Sequence, residues 1–130
     1  LPTLTESDLK KKLAPSPNSI GFLIRHIGDV EFLFAKNVFK SFGLQVKAQT
    51  VIDKYDSGEW TNLEALLLYV EESFKALHVI VEQQTTADWN EQITTNEFGT
   101  KTKAEALGRI ISHTAYHAGQ IALIQKYGAF

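Results

Sequence analysis

Three stretches of this chain repeat apolar residues at steps of three and four, and that period constrains the fold more than any other feature of the sequence. The first stripe is Ile20, Leu23, Ile24, Ile27, Val30, Phe34 and Val38. The second is Leu63, Leu66, Leu67, Val70, Phe74, Leu77 and Val81. The third is Ala106, Leu107, Ile110, Ile111, Thr114, Ala118, Ile121, Ala122 and Ile124. Residues so spaced share one side of an α-helix, so each stretch offers a face to a common core.

The punctuation agrees with the period. Asn18 or Ser19 can cap a helix over about 19–41, with Gly43 as its stop. Thr61-x-x-Glu64 and Thr102-x-x-Glu105 are capping boxes, opening helices over about 62–84 and from Thr102 to about Lys126, where Gly128 closes the last. Thr5-x-x-Asp8 can cap a short lead-in helix that ends before Pro15-Ser16-Pro17, since proline removes a donor and disfavours helix in the residue before it. Residues 44–60 read as a connection with a short helical piece around Ala48 to Asp53. Periodicity also disappears over 85–101, which reads as a long loop with an extended piece at Gln92 to Thr95, anchored by Trp89 and Phe98.

Long amphipathic helices of this kind predict an all-α protein, an antiparallel helical bundle formed as one domain over residues 1–130. A fourth helical layer is missing or shortened unless residues 5 to 13 or a partner chain supply it.

Composition narrows the partners. Thirteen Lys and Arg against fifteen Asp and Glu give a net charge of −2, with no basic stripe to track phosphates, so no nucleic acid is expected. No apolar run reaches the roughly 20 residues that span a bilayer, and no signal peptide is evident, so no membrane is expected and the default location is cytoplasmic. Cysteine is absent, which excludes disulfides, zinc-thiolate sites and a cysteine nucleophile.

Chemistry concentrates in the third stripe. His113 and His117 are two of the four histidines and stand four residues apart, so both can aim at one point beside Ala106, Ile110 and Ile124. Imidazole is a preferred ligand of Zn, Ni, Cu or Fe, and a catalytic zinc commonly takes three protein ligands and keeps one position open. His26, inward on the first helix, is the best third ligand, and His78 the second-best. The competing reading is of core or boundary histidines satisfied by local hydrogen bonds. Because Thr114 follows His113, the His-Glu-x-x-His protease motif is not present. Gln120 can support the site or cap a neighbouring backbone group, Asp29 can orient a histidine or remain an exposed charge, and Gly119 reads as a packing glycine.

These residues resemble the DinB/YfiT-like superfamily of small helical metalloproteins. The resemblance runs through Pro15-Ser16-Pro17-Asn18-Ser19-Ile20-Gly21-Phe22-Leu23-Ile24-Arg25-His26-Ile27, through Thr102-Lys103-Ala104-Glu105-Ala106-Leu107, and through His113-Thr114-Ala115-Tyr116-His117-Ala118-Gly119-Gln120-Ile121. The last is similar to the family's closing His-x-x-x-His-x-Gly-Gln-Ile helix. The resemblance implies a four-helix bundle, often a homodimer, holding a divalent metal on three histidines, here His26, His113 and His117. Family members usually carry a long helix before the proline-rich lead-in, so the first helix is expected to be short or trimmed in this chain.

Zn or Ni is the leading metal, with Fe or Mn as alternatives. Characterised members of the wider family include metal-dependent transferases and isomerases that use low-molecular-weight thiols. The implied function is therefore a metal-dependent enzyme acting on a small-molecule substrate, with thiol S-transfer as the leading reaction. A metal-dependent hydrolase and a non-catalytic, stress-associated metal-binding bundle are the alternatives.

Overall fold

In the computed structural model, which describes residues 3–96 and 98–130, the framework is three long helices. Helix α1 covers Ile20–Leu33 and runs into a wider π-helical turn over Phe34–Val38. A short α2, Gln49–Asp53, lies in the following connection. Helix α3 spans Leu63–Glu82, a single turn α4 covers Thr86–Trp89, and α5 spans Lys103–Tyr127. Strands β1, Gln92–Thr95, and β2, Gly99–Thr102, pair antiparallel with Gln92 opposite Thr102 and Thr95 opposite Gly99.

The helix starts follow local chemistry. The Ser19 hydroxyl accepts from the Phe22 amide at 3.2 Å, satisfying a donor that the first turn leaves unpaired. At α5 the Thr102 and Glu105 pair forms a complete capping box. At α3 the expected Thr61 box is replaced by Asn62, whose carbonyl accepts from the Ala65 amide at 2.9 Å, so the helix begins one residue later. Gly43 does not end the first helix either. The chain turns through Lys40, whose φ of 65° is left-handed, after the π-helical turn.

Helix α1 is the centre of the protein. The extensive helix contacts run from α1 to α3 and from α1 to α5, and residues on nearly every side of α1 are buried, from Ile20 through Glu31. Its first half packs with Leu66 of α3 and with Ile121 and Ile124 of α5. Its far end, including Phe34 and Val38, packs with Leu77 of α3 and with Ala106 and Ile110 of α5. Helices α1 and α3 therefore run parallel, and α5 runs antiparallel to both. The uniformly antiparallel arrangement expected from the sequence does not hold, because the long connection through α2 carries the chain back along α1 before α3 begins. Asp56 marks that return, accepting from the Ser19 amide at 2.9 Å.

Two glycines let α1 approach α3 and the segment leading into it closely. A methyl group on Gly21 would lie 1.9 Å from the Trp60 carbonyl oxygen, and one on Gly28 would lie 2.6 Å from the Tyr69 ring. Because α3 packs chiefly on one neighbour, Leu67 and Phe74 of its expected core stripe remain 48% and 59% exposed, and Ile111 of α5 is likewise exposed.

Two other expectations are corrected. The lead-in is part of the core: Leu9, in a 3-10 turn over Glu6–Lys10, is fully buried against α1 and α5. The extended piece expected at Gln92 to Thr95 is strand β1, but it pairs with an unexpected β2 inside the segment that reads as loop, so the chain is not purely helical. Trp89 and Phe98 pack as expected against the second half of the core. Among the described residues no helix is long and apolar enough to cross a membrane.

Candidate metal centre

The antiparallel contact of α1 with α5 brings together three of the four histidines. His26 comes from the middle of α1, and His113 and His117 from adjacent turns of α5. One nitrogen from each lies within 4.8 Å of the other two. The Nε2 atoms of His113 and His117 are 3.1 Å apart, close to the roughly 3.3 Å separating two nitrogens on a tetrahedral zinc. His78 is elsewhere, exposed on α3, stacked on Phe74 and 3.1 Å from Glu82.

Hydrogen bonds behind the cluster fix which nitrogen each ring presents. Asp29 is fully buried and accepts from four donors: Arg25 Nε at 2.8 Å, the Tyr69 hydroxyl at 2.5 Å, and the Thr50 amide and hydroxyl at 2.9 and 2.6 Å. With its proton committed to Asp29, the Thr50 hydroxyl can only accept from His26 Nδ1, 3.0 Å away. That places the proton on Nδ1 and leaves Nε2 of His26 as a bare lone pair. His117 is set in the same way, because its Nδ1 lies 2.6 Å from Gln120 Oε1, which can only accept. The Gln120 amide group in turn donates to the Tyr116 hydroxyl at 3.2 Å.

Such outer hydrogen bonds orient ligating imidazoles and raise their basicity. Asp29 is thus not the exposed charge that its type suggests. It orients His26 through Thr50, while Arg25 stacks on Tyr69 at 3.8 Å and donates to the Lys47 carbonyl at 2.9 Å, tying α1 to α3 and to the connection that precedes α2. Gln120 supports the site, whereas Gly119 has nothing within 4 Å of where a methyl would stand and packs against nothing. Thr50, Arg25 and Tyr69 carry no sequence signal, because only the return of the chain through α2 and α3 sets them behind His26.

The surroundings hold two of the three rings in their ligating form. Burial lowers the pKa of His113 to about 4, with the nearby charges of His117, His26 and Arg109 acting in the same direction. Burial also lowers His26, reinforced by His117 and opposed by Asp29. Both rings are accordingly neutral near pH 7, as metal binding requires. Nδ1 of His113 is buried and has no partner among the described residues. Three imidazole nitrogens converging without a carboxylate or thiolate suit a borderline divalent ion.

Beside the cluster lies a cavity of about 400 Å³, whose wall includes His26 and His113 together with Val30, Leu33, Phe34 and Phe98. The π-helical turn contributes Phe34, Asn37 and Val38, and the hairpin segment contributes Thr95 and Phe98. A cavity of this size and apolarity is typical of small-molecule sites.

A mainly helical protein with a three-histidine cluster opening on an apolar cavity has the form of a small metal-binding protein. The sequence profile of the DinB superfamily matches residues 1–121, and the chain belongs to that superfamily. No curated protein and no solved structure matches the chain.

Proposed function

We propose that this protein is a divalent-metal-dependent enzyme whose ion is held by His26, His113 and His117, and that its leading reaction is transfer of a low-molecular-weight thiol to a small electrophile. The observation that carries the reading is the sharing of His26 and His113 between the cluster and the cavity. A purely structural metal site is closed by its fourth ligand, whereas a catalytic one keeps a position open. Zn or Ni suits the three nitrogens best, with Fe or Mn as alternatives. We read α1, α3 and α5 as three members of the four-helix bundle that the family resemblance implies.

Bound there, a divalent ion supplies Lewis-acid chemistry, lowering the pKa of a thiol or water that reaches it. The chain supplies the rest. Thr50 and Asp29 hold His26 with Nε2 forward, Gln120 does the same for His117, and Val30, Leu33, Phe34 and Phe98 offer the substrate an apolar wall. In the transfer itself the thiol gives its proton to solvent water, a sulfur–carbon bond forms, and the carbon–leaving-group bond breaks with its electron pair going to the departing anion.

Among the described residues no Asp or Glu lines the cavity. That weighs against hydrolysis by a carboxylate general base and favours a nucleophile already acidic enough to ionise. The test is metal analysis of the purified protein and of its His26→Ala, His113→Ala and His117→Ala variants, followed by a thiol-transfer screen against a nitroaryl halide with and without chelator. Equal metal content in all four proteins would exclude this site. Metal-dependent loss of the halide without thiol consumption would replace transfer by hydrolysis.

A further inference from the structure

The cavity contains a cation that the cluster does not use. The protein has two arginines, Arg25 and Arg109. Arg25 is occupied by Asp29, by the Lys47 carbonyl, and by the rings of Trp60 and Tyr69. Arg109 is different. It lines the cavity together with His26 and His113, and its guanidinium lies 5.6 Å from the centre of the Phe98 ring. Among the described residues it has neither a carboxylate within ion-pair distance nor a side-chain hydrogen bond.

Resting on the metal-site reading above, we infer that the cavity takes a short organic anion, its carboxylate paired with Arg109 and its apolar body against Val30, Leu33, Phe34 and Phe98. Charge supports this. The other titratable side chains lining the cavity among the described residues are His26 and His113, and Glu105, which shares the adjoining pocket with Arg109, lies 3.9 Å from Lys101 instead. A planar guanidinium binds a carboxylate through two parallel hydrogen bonds. Stacking on Phe98 leaves the edge of the guanidinium, where its N–H groups point, available to an anion.

Position supports it too. Arg109 stands four residues before His113 on α5, so anchor and cluster are about one helical turn apart, roughly 5 to 6 Å. A substrate anchored at Arg109 would bring to the histidines an atom a few bonds from its carboxylate. Arg109 is then a residue that selects and positions the substrate, and its replacement leaves the three nitrogens untouched.

The test uses hexanoate, hexanamide and hexylammonium as probes of equal length, titrated into metal-free and zinc-loaded protein while methyl NMR shifts of Val30, Val38 and Val51 are followed. In metal-free wild type we expect hexanoate to bind at least ten-fold more tightly than hexanamide, and hexylammonium to bind least. Arg109→Gln should abolish the preference while hexanamide binding is unchanged, and Arg109→Lys should retain part of it. Thermal unfolding of both variants checks that they fold, since Arg109 is exposed and neither substitution removes a core contact.

Equal binding of hexanoate and hexanamide to the wild type would overturn the inference. So would a carboxylate preference that survives Arg109→Gln, or one seen only in zinc-loaded protein, which would place the carboxylate on the ion. Zinc content is measured in the same samples. A protein that binds no zinc but keeps the Arg109-dependent preference would refute the metal reading alone.

Discussion

Thr50 carries more of the site than its type suggests. Its hydroxyl donates to Asp29 and accepts from His26, so Thr50→Val removes the group that fixes the ring and leaves a donor of His26 unpaired. Loss of an outer hydrogen bond of this kind typically costs 10- to 100-fold in metal affinity, and a loss of roughly that size is expected in zinc titrations against a competing chelator. An unchanged affinity would show that ring orientation comes from packing alone. Glu31 presents the opposite case, a carboxyl only 6% exposed on α1, whose pKa is raised by burial to about 7.

In the unfolded chain Glu31 ionises near 4.5. Between about 4.5 and 7 the native state holds a proton that the unfolded state has lost, so Glu31 makes stability fall as pH rises through that window. His113 acts in the opposite sense. Its native pKa near 4 lies below the unfolded 6.5, so in metal-free protein its contribution is present above 6.5 and is lost as pH falls toward 4. The two limbs offset each other where they overlap. Glu31→Gln should therefore stabilise the protein by about 1–3 kcal/mol at pH 8 and unmask a stability that rises with pH between 5 and 6.5. Urea unfolding of metal-free wild type and variant at pH 5, 6.5 and 8 checks this, and parallel pH profiles for the two proteins would refute it.

At the scale of the elements, the glycines of α1 and α5 separate close packing from helix propensity. Gly21 faces the Trp60 carbonyl with no room for a methyl group, while Gly119 faces open space. Alanine is a better helix former than glycine by about 1 kcal/mol, but forced overpacking costs typically 1–3 kcal/mol. Gly21→Ala should accordingly destabilise by about 1–3 kcal/mol despite its higher propensity. Gly119→Ala should stabilise by up to about 1 kcal/mol with zinc affinity unchanged. Chemical denaturation of the two variants decides, and the same sign in both would refute the division.

At the scale of the whole molecule, a metal on His26, His113 and His117 would tie α1 to α5 through ligands more than eighty positions apart in the chain. A ligand that binds only the folded state stabilises it by RT ln(1 + [L]/Kd), about 2.7 kcal/mol at a hundred-fold excess over Kd. Zinc should raise the thermal midpoint of the wild type by several degrees, and chelator should remove the gain. His26→Ala should lose most of the response although both α5 ligands remain, because the tie between the helices is then cut. An equal zinc shift in His26→Ala would confine binding to α5.

The sequence by itself determined what repeats locally: the three long helices, the Ser19 and Thr102 caps, and a pair of imidazoles on one face of α5. Those follow from the helical period and from side chains that bond backbone a few residues away, both of which act along the chain. His26 was legible as an inward histidine, and the family pattern pointed to the same residue. Tertiary structure decided the rest. The stripe on α3 is half exposed because α3 has one main neighbour, and α1 and α3 are parallel because the connection through α2 runs back along α1. The extended piece expected at Gln92 to Thr95 is paired by β2, a partner that the local pattern does not mark. Asp29, Thr50 and Arg109 acquire their roles only where distant segments meet, since burial and pairing are properties of neighbours in space that no local pattern encodes.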